Sequence, residues 1–189
     1  MNNFRLRYNS PVVLTFALIS LGVLLANDVT DGEARRLLFS VYSFSPDDPL
    51  GYVRLVTHVL GHTSWEHYTG NITLMLVIGP TLEHRYGSNT ILLCIVLTAV
   101  VTGLAQCLLF PGVALCGASG VVFMMILLSS MGGYRGGGIP LTMVIVAVFY
   151  LGNEINAAIS VRDNISRLSH VLGGFCGAGI GFYLASRER

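Results

Sequence analysis

Long apolar stretches separated by short polar segments restrict what this sequence can fold into. A helix of about 20 apolar residues crosses the hydrocarbon core of a bilayer. Six apolar stretches are present, at approximately 11–26, 68–82, 90–110, 119–131, 139–151 and 168–185. Several are shorter than that length, so they must be extended by polar residues or begin inside the membrane. The pattern predicts an all-α, polytopic membrane protein with six transmembrane helices, in one domain over residues 1–189.

The composition indicates the environment of the chain and excludes two classes of protein. Of its 189 residues, 53% are hydrophobic and 11% are charged, whereas soluble domains carry roughly 25% charged residues. A formal net charge of +1 lacks the basic excess of a nucleic-acid-binding protein. The lipid bilayer is therefore the expected surrounding, and the expected partners do not include nucleic acid.

All positive charges are arginines, and their distribution predicts the orientation. With the N-terminus inside, the inner side has six arginines and two acidic residues, and the outer side has five arginines and eight acidic residues. Positively charged loops stay in the cytoplasm, so we expect both termini there. The stretch 11–26 lacks a small-residue cleavage site before Asn27 and is expected to remain as an anchor.

The loop between the first two stretches, residues 27–67, is too long for a plain connector. Within it, Glu33–Phe44 places four apolar residues on one helical face: Leu37, Leu38, Val41 and Phe44. An amphipathic helix of this kind lies in the membrane interface. We therefore predict a long outer first loop that is partly interfacial.

Four polar residues from distant parts of the chain fall at one predicted depth. If the spans alternate in direction, the second, fourth and sixth all begin at the outer face. His67 and Asn71 open the second span, Ser119 opens the fourth and His170 opens the sixth. Ionisable groups inside a membrane are costly and indicate a functional site by default.

Ser119 lies in Gly117-Ala118-Ser119-Gly120, a motif too short to be specific alone. The apolar residues between Ser119 and Gly132 form a helix of only about 18 Å, so it must begin below the membrane surface. The free N–H groups at its N-terminus would then favour a developing oxyanion. Small residues also pack membrane helices together, and position alone does not separate these two interpretations.

His170 begins a stripe of glycines on one helical face: Gly173, Gly174, Gly177 and Gly181. Such a stripe lets a neighbouring backbone approach closely. If that neighbour is the helix of Ser119, the imidazole can reach the hydroxyl and act as its base. The alternative is a histidine bonded to a backbone carbonyl in a packed bundle. The nearest acid, Asp163, lies in a loop seven residues earlier, so a Ser–His dyad is predicted.

His67 and Asn71 are four residues apart and share a helix face. Both side chains carry N–H donors suited to an oxyanion, although Asn71 equally suits an interhelical hydrogen bond. His58 and His62 show the same spacing, but no HExxH motif is present. We expect no metal and no cofactor, and place these two histidines in a hydrated vestibule.

Four motifs together resemble the rhomboid family of intramembrane serine proteases, closest to the six-span bacterial GlpG type. The resemblance covers Arg54 to Tyr183. The motifs are His67-x-x-x-Asn71, Gly79-x-x-x-Glu83-x-x-x-Gly87, Gly117-x-Ser119-Gly120 and His170-x-x-Gly173-x-x-x-Gly177. Each is weak alone, whereas all four in order on the expected spans are specific. Because few residues precede the first span, a core without a cytosolic domain is expected.

The resemblance implies a serine endopeptidase of the bacterial inner membrane. It would cleave transmembrane segments of other membrane proteins near their outer, periplasmic ends. Ser119 would be the nucleophile and His170 its general base. His67, Asn71 and the backbone N–H of Ser119 would form the oxyanion hole.

The resemblance also implies supporting residues around this site. Gly117 would allow the bend before Ser119, next to Gly120, and Gly173 and Gly177 would permit close helix contact. Phe123 replaces the tyrosine common in the family and would still stack on His170. The remaining implied features are Arg54 as a structural residue in the first loop, Glu83 and Arg85 as anchors of the second span, and Gly152–Asn164 with the fifth span as a substrate gate and cap.

Two other classes of function remain as alternatives. A catalytically inactive rhomboid-like protein would bind membrane helices without cleaving them, but such relatives usually lack the serine or the histidine. A small transporter or haem-binding protein would need a polar path across the membrane or two facing histidines near its midplane. The predicted polar cluster is instead confined to the outer third.

Overall fold

A computed structural model describes residues 7–131, 138–149 and 164–187 of the chain. Its helices are α1 (Pro11–Val29), α2 (Glu33–Leu38), α3 (Pro49–Thr57), α4 (Trp65–Tyr86), α5 (Ser88–Leu109), α6 (Ser119–Ser130), α7 (residues 141–149) and α8 (Asn164–Arg187). A short 3₁₀ turn, His58–Leu60, joins α3 to the segment before α4. The predicted all-helical class is confirmed for this part of the chain. Most of the predicted gate and cap falls on residues 150–163, which lie outside the described residues.

Three of the helices are long and apolar enough to cross a membrane: α1, α5 and the part of α8 from Arg167 to Arg187. The helix α6 is apolar but only 12 residues long. The helix α4 has 22 residues, with polar residues at both ends. The described part of the chain therefore supports a membrane protein with three candidate spans.

Several helices extend beyond the apolar stretches that predict them. The helix α1 continues to Val29, and α8 begins at Asn164. The helix α4 begins at Trp65, after Ser64, whose side chain accepts a hydrogen bond from the His67 N–H. A serine at this position stabilises a helix N-terminus by satisfying one of its free N–H groups. His67 consequently lies within the first turn of α4.

The helix α6 is the centre of the bundle. Its residues from Gly120 to Leu128 are buried, apart from the half-buried Phe123. It packs against α4, α5 and, most extensively, α8. A helix that is surrounded on all sides needs apolar residues around its whole circumference. This burial explains why the sequence of α6 shows no polar face.

The contact between α6 and α8 brings the two backbones together at glycines. A Cβ atom at Gly173 would overlap the carbonyl oxygen of Gly120, and one at Gly177 would overlap that of Met124. Any larger residue at these two positions would force α8 away from α6. The glycines therefore set the distance at which α8 presents His170 to the N-terminus of α6.

Glu83 joins the end of α4 to the beginning of α1. Its Oε1 and Oε2 accept hydrogen bonds from the backbone N–H groups of Val12 and Val13, each at 3.0 Å. The Ser88 hydroxyl donates to Oε1 at 2.7 Å. The first N–H groups of a helix have no partner within the helix, and a negative charge there is stabilising. The buried Glu83 carboxylate thus caps α1.

The predicted helix over Glu33–Phe44 is wrong beyond Leu38. The chain becomes extended there, and Val41 forms an isolated antiparallel bridge with Leu115. Val41 is fully buried against Leu55 and Leu115, so it does not belong to an interfacial apolar face. An extended backbone lets its N–H and C=O pair with Leu115 while its side chain packs into this small cluster.

Arg54 fixes the first loop from within. Its Nε donates to the Leu37 carbonyl at 2.9 Å, and its Nη1 lies 3.2 Å from the Asp48 carboxylate. The guanidinium also lies over the Tyr42 ring, 4.9 Å from its centroid. Only 6% of Arg54 is exposed. These contacts place Arg54 as a structural residue that connects three parts of the loop.

Candidate active site

The segment before Ser119 is held in place by the first loop and α5. The Gly112 N–H donates to the Tyr42 carbonyl at 2.7 Å, next to the Val41–Leu115 bridge. The Gln106 side chain donates to the Val113 carbonyl at 2.8 Å. These contacts fix the path of residues 110–118 and hence the position at which α6 begins.

Gly117 makes the turn that leads into α6, and it is adapted to this position in two ways. Its φ angle is +126°, a conformation that side chains disfavour. A Cβ atom here would lie 2.7 Å from Cε1 and 2.8 Å from Nε2 of His67. The glycine therefore allows the His67 ring to lie directly against the backbone two residues before Ser119.

His67 is oriented by its neighbours in the loop. Its Nδ1 lies 3.2 Å from the Thr63 hydroxyl, within hydrogen-bond distance. On another side, the His62 ring packs edge-on, with 5.0 Å between the centroids. Since Nδ1 is occupied by Thr63, the ring edge with Cε1 and Nε2 faces Gly117.

Asn71 lies one turn further along α4 and is 8% exposed. Its side-chain Nδ2 donates to the His67 carbonyl at 3.1 Å. A carboxamide nitrogen carries two hydrogens, so this bond orients the group and leaves a second donor. His67 and Asn71 thus lie on the face of α4 that contacts α6.

His170 lies on α8 opposite the beginning of α6, and its ring stacks on Phe123. The ring centroids are 4.4 Å apart and the planes differ by 6°. The stacking predicted for Phe123 is therefore present. Nearby, a Cβ atom at Gly120 would lie 3.2 Å from the carbonyl oxygen of Ser169, so α6 and α8 are also in close contact beside His170.

The four polar residues singled out by the sequence line one open cavity of about 350 Å³: His67, Asn71, Ser119 and His170. They come from α4, α6 and α8. Phe123 and His170 also line a smaller, apolar cavity of about 160 Å³, which reaches α7. The structure thus brings a serine hydroxyl, an imidazole and several N–H donors to one polar space with an apolar neighbour.

The predicted vestibule role of His58 and His62 is wrong, because these side chains are 1% and 0% exposed. His58 Nδ1 donates to the Arg54 carbonyl at 3.1 Å, and His62 Nδ1 donates to the Leu60 carbonyl at 3.2 Å. Burial lowers the pKa of each to about 4. Both are therefore neutral structural residues of the first loop.

The described residues contain no group of three or more histidine, cysteine or acidic side chains placed to hold a metal ion. The polar cavity offers a serine hydroxyl, two imidazoles and a carboxamide. A serine hydroxyl at a helix N-terminus, with an imidazole in the same cavity, is typical of nucleophilic acyl transfer. Nearby N–H donors would stabilise the oxyanion that such a reaction forms.

Four lining residues were not identified from the sequence: Glu66, Gly70, Leu74 and Val122. Gly70 and Leu74 lie three and seven residues after His67, on the same face of α4. Glu66 precedes His67 in the first turn. The helical spacing from His67 predicts that Gly70 and Leu74 face the cavity. Glu66, directly before His67, does not have this spacing.

Comparison with known proteins agrees with this architecture. A family model described as the Rhomboid domain matches residues 49–187, which is most of the chain. The chain is also 24% identical over 167 residues to a Mus musculus protein named Rhomboid-related protein 2. That alignment covers 79% of this chain and 54% of the relative, so the chain spans about half the length of the curated relative that it matches. On the extent of the domain match, the chain belongs to the rhomboid family.

Proposed function

We propose that the chain is an active intramembrane serine endopeptidase of the six-span bacterial type. It would cut transmembrane segments of other membrane proteins near their outer ends. The observation that carries the proposal is the shared cavity, because Ser119 and His170 lie 51 residues apart in the sequence and still line one space with His67 and Asn71.

In the proposed reaction, the Ser119 oxygen attacks the carbonyl carbon of the scissile peptide bond, and His170 accepts the hydroxyl proton. The tetrahedral intermediate expels the amine, which receives this proton from His170. Water then attacks the acyl-enzyme with His170 again acting as base. This sequence releases the carboxylic acid and regenerates the serine.

The oxyanion of the intermediate would accept hydrogen bonds from three donors. The backbone N–H of Ser119 belongs to the first turn of α6, where such groups have no partner within the helix. Asn71 offers its second amide hydrogen. If Thr63 donates to Nδ1 of His67, the neutral ring carries its proton on Nε2 and is the third donor. Loss of one such donor typically costs about 10²- to 10³-fold in rate.

Active-site labelling distinguishes this proposal from a catalytically inactive relative that only binds membrane helices. We expect a fluorophosphonate probe, which reacts with activated serines, to label the detergent-purified wild type. Ser119→Ala should abolish labelling, and His170→Ala should reduce it strongly because the hydroxyl loses its base. Ser129→Ala, at an exposed position near the other end of α6, is the matched control. An unlabelled wild type would support the inactive relative, and a labelled Ser119→Ala variant would contradict Ser119 as the nucleophile.

The proposal includes an orientation with both termini in the cytoplasm of a bacterial cell and the polar cavity near the periplasmic face of the inner membrane. Reporter fusions to the C-terminus test this part separately. A fluorescent-protein fusion should be bright and an alkaline phosphatase fusion inactive, since the phosphatase folds only outside the cytoplasm. The opposite pattern would reverse the orientation.

A further inference from the structure

A second polar pocket lies in the first loop and is lined by none of the residues of the proposed active site. It has a volume of about 290 Å³, and its polar lining is formed by Asp31, Glu33, Arg35, Arg36, Ser40 and Tyr42. The charged residues of α2 include acidic and basic side chains: Glu33, Arg35 and Arg36. Ser40 lies two residues after the end of this helix. The proposed protease mechanism does not use this pocket.

The two arginines of the pocket differ in their partners. Arg36 pairs with Glu33 at 2.9 Å, and both side chains are largely exposed. Arg35 forms no ion pair within the described part of the chain. Its Nε is buried without a hydrogen-bond partner there, and its Nη1 lies 3.9 Å from the sulfur of Cys116. Arg35 is thus the arginine of this pocket that forms no ion pair with an acidic residue of the described part of the chain.

Cys116 does not supply the missing charge. Burial raises the pKa of its thiol, even though the Arg35 guanidinium opposes that shift. The sulfur is therefore protonated at neutral pH and is only a weak acceptor. It does show that Arg35 and Ser40 converge, because the side chains of both lie beside it.

Ser40 is a second polar group without a strong partner. The residue is 1% exposed, and its Oγ has no nitrogen or oxygen partner among the described residues, only the weakly interacting thiol of Cys116 beside it. Buried polar groups are nearly always hydrogen-bonded. A buried hydroxyl and a buried guanidinium nitrogen at one pocket therefore indicate a ligand that accepts hydrogen bonds and carries negative charge.

The position of the pocket in the fold indicates whether that ligand comes from the membrane or from solution. The candidate span α1 ends at Val29, two residues before Asp31. Leu37, on the same short helix as Arg35, is 52% exposed. The pocket thus lies at the end of a membrane span, beside exposed apolar surface. Phospholipid headgroups occupy this boundary between the hydrocarbon core and water.

We propose that this pocket binds the headgroup of a phospholipid carrying an ammonium group, such as phosphatidylethanolamine. The phosphate accepts hydrogen bonds from Arg35 and Ser40, since the planar guanidinium fork matches phosphate oxygens. The ammonium group lies near the carboxylate of Asp31, which is exposed at the pocket. The pocket carries both signs of charge, as does this headgroup.

The test measures how added lipid changes the melting temperature of the purified protein in detergent. Short-chain phosphatidylethanolamine should raise Tm in a saturable way. Arg35→Gln should weaken the apparent affinity by about 10-fold or more, as expected for a charge-assisted hydrogen bond. Ser40→Ala should weaken it less. Arg187→Gln is the matched control, because that arginine is exposed on α8 and does not line the pocket, and it should retain the wild-type affinity within about twofold.

Three results would overturn the proposal. Arg35→Gln could respond to the lipid like the wild type, or Arg187→Gln could lose as much affinity as Arg35→Gln, which would indicate a general charge effect. Inorganic phosphate could also raise Tm as much as the phospholipid at equal concentration, which would indicate a soluble anion. If Arg35→Gln fails to fold, Arg35→Lys and Ser40→Ala give the same comparison. The readout does not involve proteolysis, so it is independent of the proposed function.

Discussion

The rings of Phe123 and His170 lie face to face, with 4.4 Å between centroids and 6° between planes. They join α6 to α8 at the beginning of α6, where Ser119 lies. The contact restricts the tilt of the imidazole and borders both the polar cavity and the apolar one. The orientation of the proposed base therefore depends on an aromatic residue from the helix that carries the proposed nucleophile.

Removing this ring should slow catalysis without unfolding the protein. An aromatic contact of this kind contributes about 0.5–1.5 kcal/mol, so Phe123→Ala should lower kcat by up to about 10-fold. KM should change less, because the ring acts on the base. Phe123→Tyr should retain the rate. Tyr183→Ala removes an exposed aromatic residue from α8 and should have no effect, which makes it the control in a peptide cleavage assay. An unchanged kcat in Phe123→Ala would contradict the positioning role.

The contact between α6 and α8 predicts that alanine substitutions at two glycines of α8 have different effects on stability. Gly173→Ala should lower the free energy of unfolding by about 1–3 kcal/mol, because its methyl group would overlap the Gly120 carbonyl. Gly179→Ala has no atom within 4 Å of the new methyl group and should be neutral or slightly stabilising. Thermal unfolding in detergent measures both. Equal stabilities would mean that the helices are not in close contact.

Because Glu83 caps α1, removing its carboxylate should lower the free energy of unfolding more than removing an exposed carboxylate does. Glu83→Ala leaves the N–H groups of Val12 and Val13 without their acceptor and should cost about 1–2 kcal/mol. Asp47→Ala removes an exposed carboxylate and should change the free energy of unfolding by less than about 0.5 kcal/mol. Chemical or thermal unfolding of both variants checks the difference. A Glu83→Ala protein as stable as Asp47→Ala would refute the cap.

The buried histidines of the first loop predict acid sensitivity. The pKa of both His58 and His62 is lowered to about 4 from an ordinary value of 6.5. Between these pH values the unfolded chain binds more protons than the folded one, so the free energy of unfolding rises with pH. The two histidines make their full contribution to the free energy of unfolding above about pH 6.5, and this contribution is lost as the pH falls toward 4.

Melting temperatures measured between pH 7.5 and pH 5 test whether stability falls with acidification. Tm should fall with acidification, and His62→Gln should flatten the dependence because it removes one of the histidines whose pKa the fold lowers. His84→Gln changes an exposed histidine of α4 and should leave the profile as in the wild type. A Tm that rises on acidification would show that these histidines are protonated in the fold.

The sequence predicts the helices from local pattern, and it predicts the meeting of four polar residues from the alternating direction of the spans. Apolar length gives α1 and α5, and the spacing of Gly173 and Gly177 from His170 places them on one face. The depth argument then brings His67, Asn71, Ser119 and His170 to one end of the bundle, and these four residues line one cavity.

Other features depend on contacts between distant residues, for which the sequence has no local signal. The bridge from Val41 to Leu115 spans 74 positions, so the helical pattern of Glu33–Phe44 gives no indication of it. The partner of Glu83 lies 70 residues earlier at Val13. His58 and His62 are polar and therefore predicted near water, whereas the fold buries them within the first loop.

Cleavage by purified protein in proteoliposomes tests the central claim most directly. A single-span substrate is reconstituted with wild type, Ser119→Ala or His170→Ala, and the cut is located by mass spectrometry of both fragments. We expect the wild type to cut one bond near the outer end of the transmembrane segment and both variants to leave the substrate intact while still folded. Cleavage by Ser119→Ala at the wild-type rate, or a folded wild type that cuts no substrate across a panel of single-span segments, would contradict the account.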